Sequence, residues 1–201
     1  MRVKMIFALV AVYAVAAAPA FLPGGWRVIV QPATEDAVEV YYQPVSPERF
    51  RSYEGIRPFQ RALEAAERRV EAHPYDLAPP YILHGPYRLI APYVTERGRE
   101  LASPLISGMD WPEGVATPYA VVPQVRPVVN SQAELRALVL MRGWVFHEPA
   151  VLGMGIEPEL NRVVISTNAF DQGLRHRLAR EYGSRLVVVE WDPLARPMRL
   201  L

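Results

Sequence analysis

The spacing of apolar and polar residues changes character several times along this chain. Residues 57–72 place Phe59, Leu63, Ala66 and Val70 at helical spacing, with Glu64, Glu67, Arg68 and Glu71 opposite. That pattern predicts an amphipathic helix with Pro58 in its first turn and Pro74 beyond its end. Residues 37–42 (AVEVYY) alternate and predict a strand. Residues 21–34, around Trp26 and the apolar run 28–30, read as irregular, and Pro44, Ser46 and Pro47 mark a loop. Thr95 heads a short helix to 102. With two Gly, two Pro and a Trp, residues 103–117 read as a loop.

Beyond this point the elements are more regular. Residues 119–129 are extended but interrupted by Pro123 and Pro127, which limits them to an edge strand. Ser131 and Glu134 form a capping box for a helix to about 142, with Leu135, Leu138 and Val139 inward and Gly143 at its end. A strand is expected at 144–147, a loop at Gly153-Met154-Gly155 and Pro158, and a strand at 162–167. Asn168 is positioned to cap a helix carrying Phe170, Leu174, Leu178 and Tyr182, ended by Gly183. The Val-rich run 185–191 is the strongest strand. The order β-α-β-β-α-β over 119–191 predicts a ferredoxin-like, split βαβ arrangement within an α+β chain. The expected organisation is a leader at 1–20, a helical and Pro-Tyr-rich region at 21–117, the α/β domain at 118–193 and a tail at 194–201.

Between the two halves lies a repeat. Residues 73–96 are four six-residue blocks with Pro-Tyr at the same place in each: Pro74-Tyr75, Pro80-Tyr81, Pro86-Tyr87 and Pro92-Tyr93. Chance pairing of 20 Pro with 10 Tyr in 201 residues would give about one such pair. Proline at this interval forbids a continuous helix. Six is a multiple of both the strand and the polyproline II periods, so an extended ladder would present Tyr75, Tyr81, Tyr87 and Tyr93 on one side. Two readings follow: an aromatic recognition surface, or rings packed on a core with wet hydroxyls.

Composition narrows the chemistry. Two basic residues (Arg2 and Lys4), fourteen apolar residues at 5–18 and the small-x-small step Ala18-Pro19-Ala20 have the layout of a secretory leader, with an uncleaved membrane anchor as the alternative. Without Arg2 and Lys4 the chain has 20 basic against 21 acidic residues and no basic run, which argues against nucleic-acid binding. Lys4 is the only lysine, which removes Schiff-base chemistry from the mature chain, and the absence of cysteine removes thiol catalysis, thiolate metal sites and disulfides.

The motifs that remain are few. Asp110-Trp111-Pro112-Glu113, at the centre of the 103–117 loop, sets two carboxylates beside an indole, a set that suits sugar binding, acid–base work or a cation; the alternative is a surface turn. His73, His84, His147 and His176 lack the i, i+4 spacing of a helical zinc site, and neither a metal nor a cofactor is expected. No G-x-S-x-G elbow is present. Arg175, Arg177, Arg180 and Arg185 cluster around the last helix.

The stretch 153–191 carries Asn161-Arg162-Val163-Val164, a helix ending in Tyr182-Gly183 and a second Val-rich strand. It resembles the small α/β pro-regions and inhibitor-like domains that accompany secreted bacterial proteases. The resemblance implies binding by a sheet edge or tail and assigns no catalytic residue. These readings lead to a secreted, non-enzymatic binding protein of α+β class, whose partner would be a protein or a cell-envelope component. Tyr75, Tyr81, Tyr87, Tyr93, Asp110, Trp111 and Glu113 are its candidate contacts. The alternatives are a small secreted hydrolase or glycan-processing enzyme using Asp110 and Glu113, and a purely structural protein.

Overall fold

The computed structural model describes residues 27–43, 55–84, 86–141 and 143–194. The leader expected at 1–20, the loop around Pro44 and Pro47, and residues 195–201 of the tail lie outside the described residues. The first half contains β1 (Val28–Gln31), β2 (Glu39–Tyr42), α1 (Arg57–Ala72), β3 (Tyr81–Leu83), β4 (Arg88–Tyr93), α2 (Glu96–Ala102) and β5 (Ile106–Asp110). There follow β6 (Thr117–Val121), β7 (Gln124–Pro127), α3 (Gln132–Met141), β8 (Val151–Glu157), β9 (Arg162–Thr167), α4 (Gln172–Tyr182) and β10 (Val187–Trp191). Short 3-10 turns occupy Pro112–Gly114 and Trp144–His147. The fold is mixed α and β.

The larger sheet has the order β1-β2-β10-β9-β8. β10 lies parallel to both β2 and β9, whereas β1 and β8 run antiparallel to their neighbours. Central parallel strands are covered on both faces and therefore read as unbroken apolar runs; Val187, Val188 and Val189 of β10 are fully buried. Leu135 and Leu138 of α3 and Leu174, Leu178 and Ala179 of α4 pack on one face with Val38, Val40, Val163 and Ile165. Tyr41, Val164 and Val188 form a cluster of their own with Leu160. Arg27 stacks on Tyr41, 5.6 Å from its ring centre, and burial followed by the nearby Glu190 charge pushes the Tyr41 hydroxyl pKa up.

Local devices hold these layers. Asn161, at the β8–β9 turn, adopts φ 53°, a left-handed conformation that asparagine tolerates. Its side-chain oxygen accepts from the Asn130 amide N–H (2.7 Å), its nitrogen donates to Asn130 O (2.7 Å), and the Asn130 side chain returns a bond to Asn161 O (2.7 Å). Arg175 is buried on α4 with only neutral acceptors: Val38 O (3.0 Å), Pro32 O (2.8 Å) and the Gln31 and Gln172 side chains. It ties the β1–β2 connection to α4, and burial draws its pKa down.

The ladder region builds a second layer. β3 and β4 pair antiparallel, β7 adds parallel to β4, and β5 and β6 form a separate antiparallel hairpin. α1 has the predicted bounds, with Ala62, Ala66 and Val70 buried. Ala62 and Ala66 pack with Leu89, Ile106 and Val121, while Val70 joins Leu77, Ala91 and Ala102. Thr95 caps α2 as expected, accepting from Gly98 N at 2.9 Å. The Ser131–Glu134 capping box also forms: Ser131 N donates to Glu134 Oε2 (2.7 Å) and Glu134 N to Ser131 Oγ (3.3 Å).

Several expectations are corrected. Residues 119–129 supply no strand to the larger sheet. Pro123 divides them into β6 and β7, which pair with β5 and β4, and the place beside β10 goes to β2. The sheets therefore cross the 117/118 boundary, and the predicted ferredoxin-like strand set is not the one that assembles. The 103–117 loop is largely a hairpin. Gly108 lies within β5, and glycine suits the position because a Cβ there would approach the Tyr119 ring hydroxyl to 2.9 Å. Residues 144–147 are a 3-10 turn rather than a strand, and the strand is β8, where Gly153 follows a shift in register. Asp171 rather than Asn168 caps α4, its carboxylate accepting from Leu174 N at 2.6 Å. Residues 28–31, read as irregular, form edge strand β1.

Candidate functional site

The Pro-Tyr ladder does not present one aromatic face. The chain reverses between the antiparallel strands β3 and β4, with Tyr75 and Tyr81 before the reversal and Tyr87 and Tyr93 after Leu83, so the same-side argument fails there. Tyr81 is buried, its hydroxyl accepting from Arg126 Nη1 at 2.7 Å. Tyr93 packs on the Val70–Leu77–Ala91–Ala102 cluster. Tyr87 is half-buried between Phe59 (5.8 Å between ring centres) and His84 (5.3 Å). Tyr75 alone of the four is mostly exposed, at 76%. The ladder is thus mainly a packing device, a row of rings that closes the β3–β4 pair against neighbouring strands and α1.

The Asp110–Glu113 loop divides in the same way. Alternation along β5 turns Ile106, Gly108 and Asp110 toward α1 and Ser107 and Met109 away from it, and Trp111, just past the strand, is exposed. Asp110 is buried, with Arg61 Nε 2.8 Å from Oδ1 and Arg57 Nε 3.3 Å from Oδ2. Burial raises the Asp110 pKa. The Arg61 hydrogen bond, the Trp111 backbone and the two guanidinium charges outweigh that and leave it below the usual carboxylate value. Asp110 therefore fastens the hairpin to α1. Glu113 lies beyond it in the 3-10 turn, exposed and at φ 53°. Among the described residues, Asp110 is buried against α1 while Glu113 stands exposed at the tip.

What the hairpin offers solvent is its other face. Leu105, Met109, Trp111, Val115 and Val122 are each more than half exposed. Met109 stands opposite Pro118 and Ser107 opposite Ala120. None of these six positions, nor Ala120 and Pro118 between them, carries an ionisable group; Glu113 at the tip is the exposed charge beside them. The Gly, Pro and Trp content of 103–117 predicted a loop and so missed the face, and Ile106–Asp110 (ISGMD) carries no apolar–polar alternation that would have marked a strand.

A separate groove of about 340 Å3 opens between α4 and the Trp144–His147 turn. Trp144, His147 and Glu148 line one side and Arg177, Arg180 and Glu181 the other. Arg177 lies over the Trp144 ring, 4.9 Å from its centre, with its Nη2 2.6 Å from Glu148 Oε1. Among the described residues, no three His, Asp or Glu side chains converge in a way that would hold a metal ion. Nor is any helix among them long and apolar enough to cross a membrane. No protein-family model matches this chain, and no curated protein shows significant similarity to it.

Proposed function

We propose that this is a non-enzymatic binding or interaction protein of the extracytoplasmic space. Its partner, a protein or a component of the cell envelope, docks on the outward face of the β5–β6 hairpin. The observation that carries the reading is that face: Met109, Trp111 and their neighbours are apolar and exposed, on a hairpin held from behind by the Asp110 ion pairs. Interface cores lack charge and are rich in Trp and Met, and a face held rigid before binding loses less entropy when it docks. The leader-like stretch 1–20 supports the location, either as a cleaved signal or as a membrane anchor. The likeness of residues 153–191 to pro-region and inhibitor-like modules supports a binding role. Asp110 is occupied by two arginines, and this weighs against its use as a catalytic acid.

The test is capture of envelope components on immobilised protein. Wild type and a Tyr75→Ser control should retain the same bound species, and the double variant Met109→Ser/Trp111→Ser should lose it. Equal capture by the double variant, or loss with Tyr75→Ser alone, would overturn the assignment to this face.

A further inference from the structure

The groove between α4 and the Trp144–His147 turn plays no part in hairpin docking. We infer that it is a second binding site, selective for a carboxylate joined to an apolar group, as in an acidic peptide segment. Its charges are already sorted. Glu148 is taken up by Arg177 at 2.6 Å, and Arg177 is held flat on the Trp144 indole. Among the described residues, Arg180, His147 and Glu181 make no ion pair. Arg180 and the outer edge of Arg177, one helical turn apart, leave guanidinium N–H donors facing the groove, and a guanidinium fork matches the two oxygens of a carboxylate. Glu181 opposes a compact double charge such as phosphate, whereas Arg180 balances one carboxylate at a time, and further carboxylates spaced along the same ligand can lie outside the groove. Apolar surface lies within a few residues. Leu140 and Met141 at the end of α3 and Phe146 in the turn are all close to half exposed or more. Trp, Phe, Met and Arg are the residues that interfaces favour.

The ligand carboxylate has two sources, an acidic peptide or a small free acid, and the experiment separates them. A fluorescein-labelled peptide alternating Glu with Leu and Phe is titrated with the full chain, alongside its Gln-for-Glu counterpart, and glutarate is used as competitor. The acidic peptide should bind at least about tenfold tighter than the Gln peptide. Arg180→Glu should weaken it by a factor of about ten or more, and Glu181→Gln should strengthen it about threefold by removing the opposing charge. Both positions are exposed, so the variants keep the fold, which circular dichroism verifies. Displacement by glutarate at concentrations near those of the peptide identifies a small acid as sufficient. Displacement by unlabelled peptide alone shows that the apolar neighbours contribute. The inference is overturned if the Gln peptide binds equally well, if Arg180→Glu leaves affinity unchanged, or if neither peptide nor glutarate binds at about 1 mM.

Discussion

The five-stranded sheet and the β5–β6 hairpin are each covered by helix on one side. They differ in what lies on the other. In the larger sheet the strand centres are buried on both faces, Val188 and Tyr41 as fully as Val187 and Val40. In the hairpin, Ile106 and Val121 are buried against α1 while Met109 and Trp111 face solvent. The contrast teaches which apolar residues the fold uses and which it leaves in water. A residue whose burial holds the fold together cannot also be offered to a partner, and large apolar groups left in water contribute little to folding. Among the described residues, the outward hairpin face is an apolar area that folding leaves unused.

Three measurements sharpen or break this contrast. The largest effect is expected in the larger sheet's core. Leu178→Ala removes a fully buried side chain from the layer between α4 and the sheet. It should lower unfolding free energy by about 3 kcal/mol in urea denaturation. A loss below about 1 kcal/mol would mean that this layer is loosely packed and that the distinction is not the one drawn here.

The second concerns the fastening of the hairpin. The folded-state pKa of Asp110 lies below its ordinary value of 3.8, so protonation costs the native state more than the unfolded chain. The stabilising share of this carboxylate is complete above that ordinary value and is lost as pH falls through the folded one. Asp110→Asn should therefore flatten the acid limb of a stability–pH profile measured from about pH 7 to pH 3, with the variant and wild type converging at the acid end. Parallel profiles would show that the arginine pairs do not couple the hairpin to α1.

The smallest effect is predicted for the outward face. Met109→Ser/Trp111→Ser should change unfolding free energy by no more than about 0.5 kcal/mol, even as it abolishes capture. A loss of several kcal/mol would place these side chains among the packed ones and remove the contrast between the two sheets.

Much of the fold was legible in residue order because the responsible interactions are local. The bounds of α1 follow from Pro58, Pro74 and the 3.6-residue spacing between them. The Thr95 cap, the Ser131–Glu134 box and the Gly183 end of α4 are contacts between residues three or four apart. Where reading failed, the cause was usually a contact made across the chain. Gly108 reads as a loop residue until Tyr119 is above it. Trp144–His147 reads as a strand until Val145 is drawn into the core beside Leu135. The four tyrosines share a side in any unbroken extended chain and lose it at one reversal.

The candidate site was visible only in part. Trp111 drew attention as an indole beside two carboxylates, but it is exposed whereas Asp110 is buried against α1. The outward partners of Trp111 come from β6, whose pairing with β5 residue order left open. The groove at Trp144 was harder still, since Arg177 and Glu148 meet from elements 29 positions apart (177 − 148). By itself the sequence determined the helices, the Thr95 and Ser131 caps, the Val-rich strands and the excluded chemistries, because propensity, spacing and composition act over one or two turns of chain. Which strand lies beside β10, which tyrosines are wet, and which apolar face is left bare were decided by the tertiary structure alone. Each depends on which distant segments win the competition to bury the same surface.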